Sequence, residues 1–181
     1  MKKISALLAL LLSTNAAFAA DFTVSSHDMN EQQPLAMNQV FNGFGCTGKN
    51  LSPQLSWQHA PANSKSFAIT LYDPDAPTGS GWWHWTVVNI PATIHQLPTG
   101  AGNKHSNLPV GSMQGRNDFG DFAFGGACPP AGDKPHRYIL TVWALDTDKL
   151  PVTRNMSAAM IGFMLNAHKL ATASLTATYG R

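Results

Sequence analysis

DPDAPTGSGWWHW, residues 73–85, places two aspartates two positions apart beside prolines, then a histidine among three tryptophans. It separates two of the strongest strand-like runs in the chain, FAITLYD (67–73) and HWTVVNI (84–90). A third, RYILTVWALD, covers 137–146. All three are rich in β-branched and aromatic residues and end at Pro, Gly or Asp, which predicts strands. FTVS (22–25) and LTATYG (175–180) read as shorter strands, and the Gly-, Asn-, Ser- and Pro-rich stretch 98–120 as a long surface loop.

One segment changes period. In SAAMIGFMLNAHKLAT (157–172), Met160, Ile161, Met164, Leu165 and His168 fall on one helical face, which predicts a late helix with His168 as a satisfied core histidine. The pattern is mostly β with one helix near the C-terminus. It lacks the strand–helix alternation of a parallel α/β sheet.

The first residues bound the location. Lys2 and Lys3, an apolar run from Ile4 to Leu12 and Ala17-Phe18-Ala19 make the basic, apolar and small-residue order of a secretory signal peptide over residues 1–19. The apolar run is too short to span a bilayer. The expected mature chain, residues 20–181, is a single domain exported to the periplasm or beyond. Twelve Lys and Arg stand against ten Asp and Glu, and loss of Lys2 and Lys3 balances them, leaving no basic stripe for nucleic acid. Two cysteines in an oxidising compartment, Cys46 and Cys128, are either buried thiols or a disulfide, and the disulfide is the expectation. It would tie a glycine-rich loop to a proline pair.

Several enzyme signatures are missing. GFGCTG (43–48) matches G-x-G-x-x-G, but Pro53 follows too soon for the helix a dinucleotide site requires. There is no G-x-S-x-G, HExxH or S-x-x-K motif. Glu31 is the only glutamate, so a paired-carboxylate glycosidase would depend on aspartates. Asp73 and Asp75 would share a face of an extended strand and crowd each other.

GGACPPAGDKPHRY (125–138) is the second dense stretch. By strand alternation His136 and Tyr138 share a face and Arg137 points away. With His84 opening one strand and Asp73 closing another, polar side chains gather at strand ends beside stiff proline loops.

DPDAP…WWHW followed by GGACPPAGDKPHRY resembles the two signature regions of the phosphatidylethanolamine-binding proteins, also called Raf kinase inhibitor proteins. NLSPQLSW (50–57) and ATYGR (177–181) resemble the bacterial branch of that family. The resemblance implies a central antiparallel sheet, a smaller second sheet, a C-terminal helix and a small anion pocket. It also implies a cis bond at Ala76–Pro77 and pocket positions at Asp73, His84, Pro130, His136 and Tyr138.

The expected function is therefore that of a non-enzymatic binding protein for a phosphate-type anion, or for an anionic group on a protein partner, with no cofactor. The imidazoles would donate to the anion, so affinity should rise as pH falls from about 8 towards 6. His84→Ala and His136→Ala should weaken binding and leave stability nearly unchanged. The alternatives are an inhibitor or signalling effector of the envelope or of a host, acting through a surface, and an enzyme with Asp73, His84 and His136 as a 2-His-1-carboxylate metal site. The sequence leaves open whether the chain forms a homodimer.

Overall fold

The computed structural model describes residues 20–105 and 107–181. The leader expected over residues 1–19 lies outside the described residues. In chain order the elements are β1 (Thr23–Ser25), β2 (Asn42–Gly43), β3 (Cys46–Thr47), β4 (Leu55–Gln58), β5 (Ser66–Asp73), β6 (Trp82–Pro91), β7 (Gln96–Leu97), β8 (Met113–Gln114), β9 (His136–Leu145), α1 (Ala158–His168) and β10 (Lys169–Tyr179). The architecture is mostly β, as expected. A five-stranded antiparallel sheet runs β10-β9-β5-β6-β8, a three-stranded sheet runs β1-β4-β7, and β2 and β3 form a hairpin. Among the described residues no helix is long and apolar enough to cross a membrane.

β5 is central because both of its faces are apolar. Phe67, Ile69 and Leu71 pack with Leu55 and Trp57 of the small sheet. Ala68, on the other face, joins Leu150, Ile161 and Leu165 under α1. Each large side chain so buried contributes roughly 1.5–3 kcal/mol. The sheet is thus held between the small sheet and the helix, and its strand ends are free to build a site. β9 alternates as the sequence predicts, with His136, Tyr138, Leu140, Val142 and Ala144 buried on one face and Arg137 exposed on the other.

The helix departs from its expected limits. Ser157 caps it, its hydroxyl accepting from the Met160 amide at 3.2 Å, and it ends at His168. Lys169–Thr172, which continue the helical period in sequence, belong to β10, where residues 169 and 171–172 pair with β9. Ladder hydrogen bonds along a long neighbour outweigh a weak helical preference. The buried face is Ala158, Ile161, Gly162 and Leu165; Met160 is half exposed. His168 is no core residue. Its ring is partly exposed at the helix end, where Nδ1 pairs with Asp146 at 2.9 Å.

The stretch 98–120 is also less loop-like than expected. It contains β8, and Ala101 and Asn117 within it are buried. Asn117 fixes the following turn, its amide donating to the Ala123 carbonyl (2.8 Å) and its oxygen accepting from the Asp121 amide (2.9 Å). Among the described residues no peptide bond is cis, so Ala76–Pro77 is trans, against the expectation. The turn closes by other means. Asp73 Oδ1 accepts from the amides of Asp75 (2.8 Å) and Ala76 (3.1 Å), and the Thr78 amide donates to the Ala76 carbonyl (2.8 Å). That hydrogen-bonded turn needs no isomerisation of an X–Pro bond whose trans form is already favoured.

Candidate functional site

Asp73 is the last residue of β5 and His136 the first of the adjacent β9. Adjacency brings the pair together: His136 Nδ1 donates to Asp73 Oδ2 at 2.8 Å, with both side chains almost wholly buried. His136 Nε2 lies 3.5 Å from Asp133 Oδ2. The two aspartates do not crowd each other, because each has its own partner. Asp75 takes three hydrogen bonds from Arg137, at 2.9 Å from the amide, 2.9 Å from Nε and 2.7 Å from Nη2. The Arg137 guanidinium holds the Asp75 carboxyl down at about 2. This fork staples the DPDAP turn to the mouth of β9.

His84 is the third residue of β6, not its first. A register shift between Leu71 and Tyr72 lies opposite it, where Leu71 pairs with Trp85 and Tyr72 with Trp83. Such a bulge re-aims side chains. Trp82 and His84 line the cavity, Trp85 packs edge-on to Phe124 in the main core and donates to Gln114 Oε1 (2.7 Å), and Trp83 lies against Tyr72. Of the three indoles, only Trp82 walls the site.

The loop before Cys128 clamps His84 from both sides. The Gly125 amide donates to the His84 carbonyl (2.9 Å), and His84 Nδ1 donates to the Gly125 carbonyl (2.8 Å). Gly126 must be glycine, since a Cβ there would collide with the backbone of Gln39, Val40 and Phe41. The Cys46–Cys128 disulfide is formed, as expected, and joins the β2–β3 hairpin to the proline pair. The GFGCTG motif supplies that hairpin's turn, with Phe44 and Gly45 at φ 53° and 83°, and no helix opens between it and β4.

Asp73, His84, Pro130, His136 and Tyr138 line one cavity of about 210 Å³, Pro130 at the exposed rim. Asp73, His84, His136 and Tyr138 are only 3, 3, 4 and 0% exposed. Sequence reasoning missed three contributors. Phe119 stacks on Phe41 (4.1 Å between centroids) and meets Trp82 (5.2 Å) and His84 (5.5 Å) edge-on. Phe44, 70% exposed, stands at the rim. Arg181 donates to the carbonyls of Pro129 (2.7 Å), Gly45 (3.3 Å) and Phe44 (3.3 Å), binding the two rim loops together. The terminal ATYGR held the signal for Arg181. Nothing in the pattern around Phe119 marked it.

The electrostatics differ from the expectation that both rings donate. Burial pushes the His84 pKa below histidine's ordinary value, against opposing pulls from the Gly125 carbonyl and Asp73. His84 is therefore neutral at pH 7. Its Nδ1 proton goes to a carbonyl, so Nε2 presents a lone pair. Burial, with Asp73 adding to it, pushes the Tyr138 phenol upward, so Tyr138 stays an un-ionised hydroxyl. His84 Nε2, Tyr138 Oη and Trp82 Nε1 are all buried without a partner. Buried polar atoms are paired in the great majority of cases, and three residues of this one cavity each carry an unpaired one, as Gln39, Trp57, Thr86 and Ser112 do outside it. The metal reading fares less well. Asp73 gives both oxygens to internal hydrogen bonds, and among the described residues no three His, Cys, Asp or Glu side chains are grouped to hold a metal ion.

A pH dependence of stability follows from His84. Its folded pKa lies below the value of 6.5 for a free ring, so the unfolded chain takes up the proton first as pH falls. The His84 contribution is complete above about pH 6.5 and is lost progressively below it. Urea unfolding at about pH 7.5 and about pH 5 should show a smaller acid loss in His84→Gln than in the parent; equal losses would contradict it.

Comparison with known proteins accords with this geometry. The phosphatidylethanolamine-binding protein family model matches residues 25–180. The chain is 56% identical over 180 residues to the UPF0098 protein YbcL of Escherichia coli, covering 99% of this chain and 98% of that one. To YbhB of the same organism it is 50% identical over 154 residues, 85% of this chain and 97% of that one. The crystal structure of Escherichia coli YbcL, described as a member of the mammalian PEBP family, matches with a TM-score of 0.87 at 58% identity, over 90% of this chain and 99% of that one. A homologue from Chlamydia trachomatis matches with a TM-score of 0.73 at 27% identity, over 88% and 97%. With the two signature regions meeting at one cavity and the family model spanning both, the chain belongs to the phosphatidylethanolamine-binding protein family.

Proposed function

We propose that the chain is an exported, non-enzymatic binding protein of the periplasm whose cavity holds a phosphate-type anion, free or displayed on a protein partner. The carrying observation is that three residues lining the cavity hold buried polar atoms without a partner: Tyr138 Oη and Trp82 Nε1 with hydrogens to give, and His84 Nε2 with a lone pair. A group that only held loops together would have its hydrogen bonds made within the protein, as Asp73, Asp75 and Asn117 do. The apolar surround of Phe119, Trp82 and Pro129 lowers the local dielectric and strengthens each contact to a bound anion. The family name supports a binding role, and the family itself supports no particular ligand for this chain.

The test is calorimetric titration of inorganic phosphate and phosphoethanolamine into the parent and Tyr138→Phe. Loss of one hydrogen bond to a charged group, about 1.5–3 kcal/mol, should weaken binding roughly 10- to 100-fold. Because Tyr138 Oη has no partner in the protein, the unliganded variant should melt no lower than the parent. Equal affinities would remove the proposal, and a lower melting temperature would point to a structural hydroxyl.

A further inference from the structure

We infer that the cavity selects its anion by proton content: it accepts a phosphate that carries a P–OH group and rejects a tetrahedral anion of the same shape with no hydrogen to donate. This rests on the anion-binding reading above and goes beyond it to specificity.

The deciding atom is His84 Nε2. A carbonyl only accepts, so the 2.8 Å contact with Gly125 O fixes the ring proton on Nδ1. In the neutral ring Nε2 is then an acceptor, buried and unpartnered. Burial keeps the ring neutral. Asp73 at the end of β5 and Asp118 after β8 pull the other way, towards a protonated ring, and burial outweighs them. Burial, with Asp73, Tyr179 of β10 and Asp75 adding to it, raises the Tyr138 pKa and so keeps the phenol un-ionised. Asp133 lies beside His136. No Lys or Arg is among the described residues that line the cavity. Arg137 is held by Asp75, and Arg181 by loop carbonyls.

An anion without a proton would set its lone pairs against the His84 lone pair and these carboxylates. A P–OH group instead donates to Nε2, while the remaining oxygens accept from Tyr138 Oη and Trp82 Nε1. The three orphans thus call for one donor and two acceptors on a single ligand. Phosphate meets this over the whole neutral range, because it keeps at least one hydroxyl. Sulfate does not. A phosphate monoester meets it only once its dianion has gained one proton, near pH 6.

The experiment is calorimetric titration of phosphate, sulfate and phosphoethanolamine, at constant ionic strength, at about pH 6 and about pH 8. Sites built to hydrogen-bond a ligand OH reject analogues lacking it by up to about 10⁴–10⁵-fold; for a cavity with an open rim, phosphate should exceed sulfate at least about 100-fold at pH 8. Phosphate should bind at both pH values, and phosphoethanolamine roughly 50-fold more tightly at the lower one, following the fraction that carries a P–OH. In His84→Gln the side-chain amide can turn its NH₂ to the anion, so the phosphate-to-sulfate ratio should fall to within about tenfold. Should that variant fail to fold, the parent's ratio and the pH dependence of the monoester carry the test alone. Phosphate and sulfate bound alike by the parent would overturn proton selection and leave the anion pocket standing. No binding of any of the three would overturn the anion pocket itself.

Discussion

The Cys46→Ser, Cys128→Ser double variant is expected to lose about 4 kcal/mol of folding stability. The bridged residues are 82 positions apart, so reduction frees a long loop in the unfolded chain and raises its entropy. The folded side should change less, because other bonds hold the same loops. Arg181 grips the Pro129 carbonyl, the Gly126 amide donates to Asn50 Oδ1 (2.7 Å), and Val40 bridges Ala127. For a chain of this length the loss corresponds to a fall in melting temperature on the order of 10 °C. Chemical denaturation of the parent and the double variant checks the first figure, with alkylation of unreduced, denatured parent to show that no thiol is free. A difference under about 1 kcal/mol would mean that the unfolded chain is already compact between the two cysteines. Phosphate affinity should fall only modestly, since Asp73, His84, His136 and Tyr138 sit on strands, with only the rim on the bridged loops.

Much of the site was legible because strand periodicity is local. Runs such as FAITLYD carry their own pattern, and alternation alone put His136 and Tyr138 on one face with Arg137 on the other. The cysteine count led to the correct disulfide for similarly simple reasons. What failed depends on distant partners. The first four residues of β10 continue a helical period, and only pairing with β9 makes them a strand. The His84 tautomer is set by a carbonyl 41 residues away, so no local pattern reveals that the ring accepts where donation was expected. Asp73 and Asp75 look like mutual repulsion in sequence, yet each partner lies more than 60 residues downstream. Phe119 gained its place by stacking on Phe41, which only the fold makes a neighbour. The resemblance likewise implied a cis bond that the turn at Asp73 makes unnecessary.

Asp73→Ala should be the most damaging single substitution in the cavity, and it also revises one expectation drawn from sequence. Asp73 serves three groups: the amides of Asp75 and Ala76 through Oδ1, and His136 through Oδ2. Truncation strips the turn of its cap and leaves a buried ring without its acceptor. Leaving a buried polar group without its hydrogen-bond partner costs about 1–3 kcal/mol, and loss of the turn cap adds to it. The same reasoning applies to His136→Ala, which leaves Asp73 Oδ2 without its donor in a side chain only 4% exposed. That variant should therefore lose stability as well as affinity, whereas sequence alone had it nearly neutral. Asp73→Asn should be milder than Asp73→Ala, since its side-chain oxygen can still cap the turn. A double-mutant cycle separates the pair from the cap: with Asp73 already Ala, His136→Ala should cost much less than it does in the parent. Urea unfolding of the parent, both single variants and the double variant gives the coupling directly. Additive losses would place the Asp73 contribution in the turn alone, and an Asp73→Ala loss under about 1 kcal/mol would mean that the buried pair contributes little to folding.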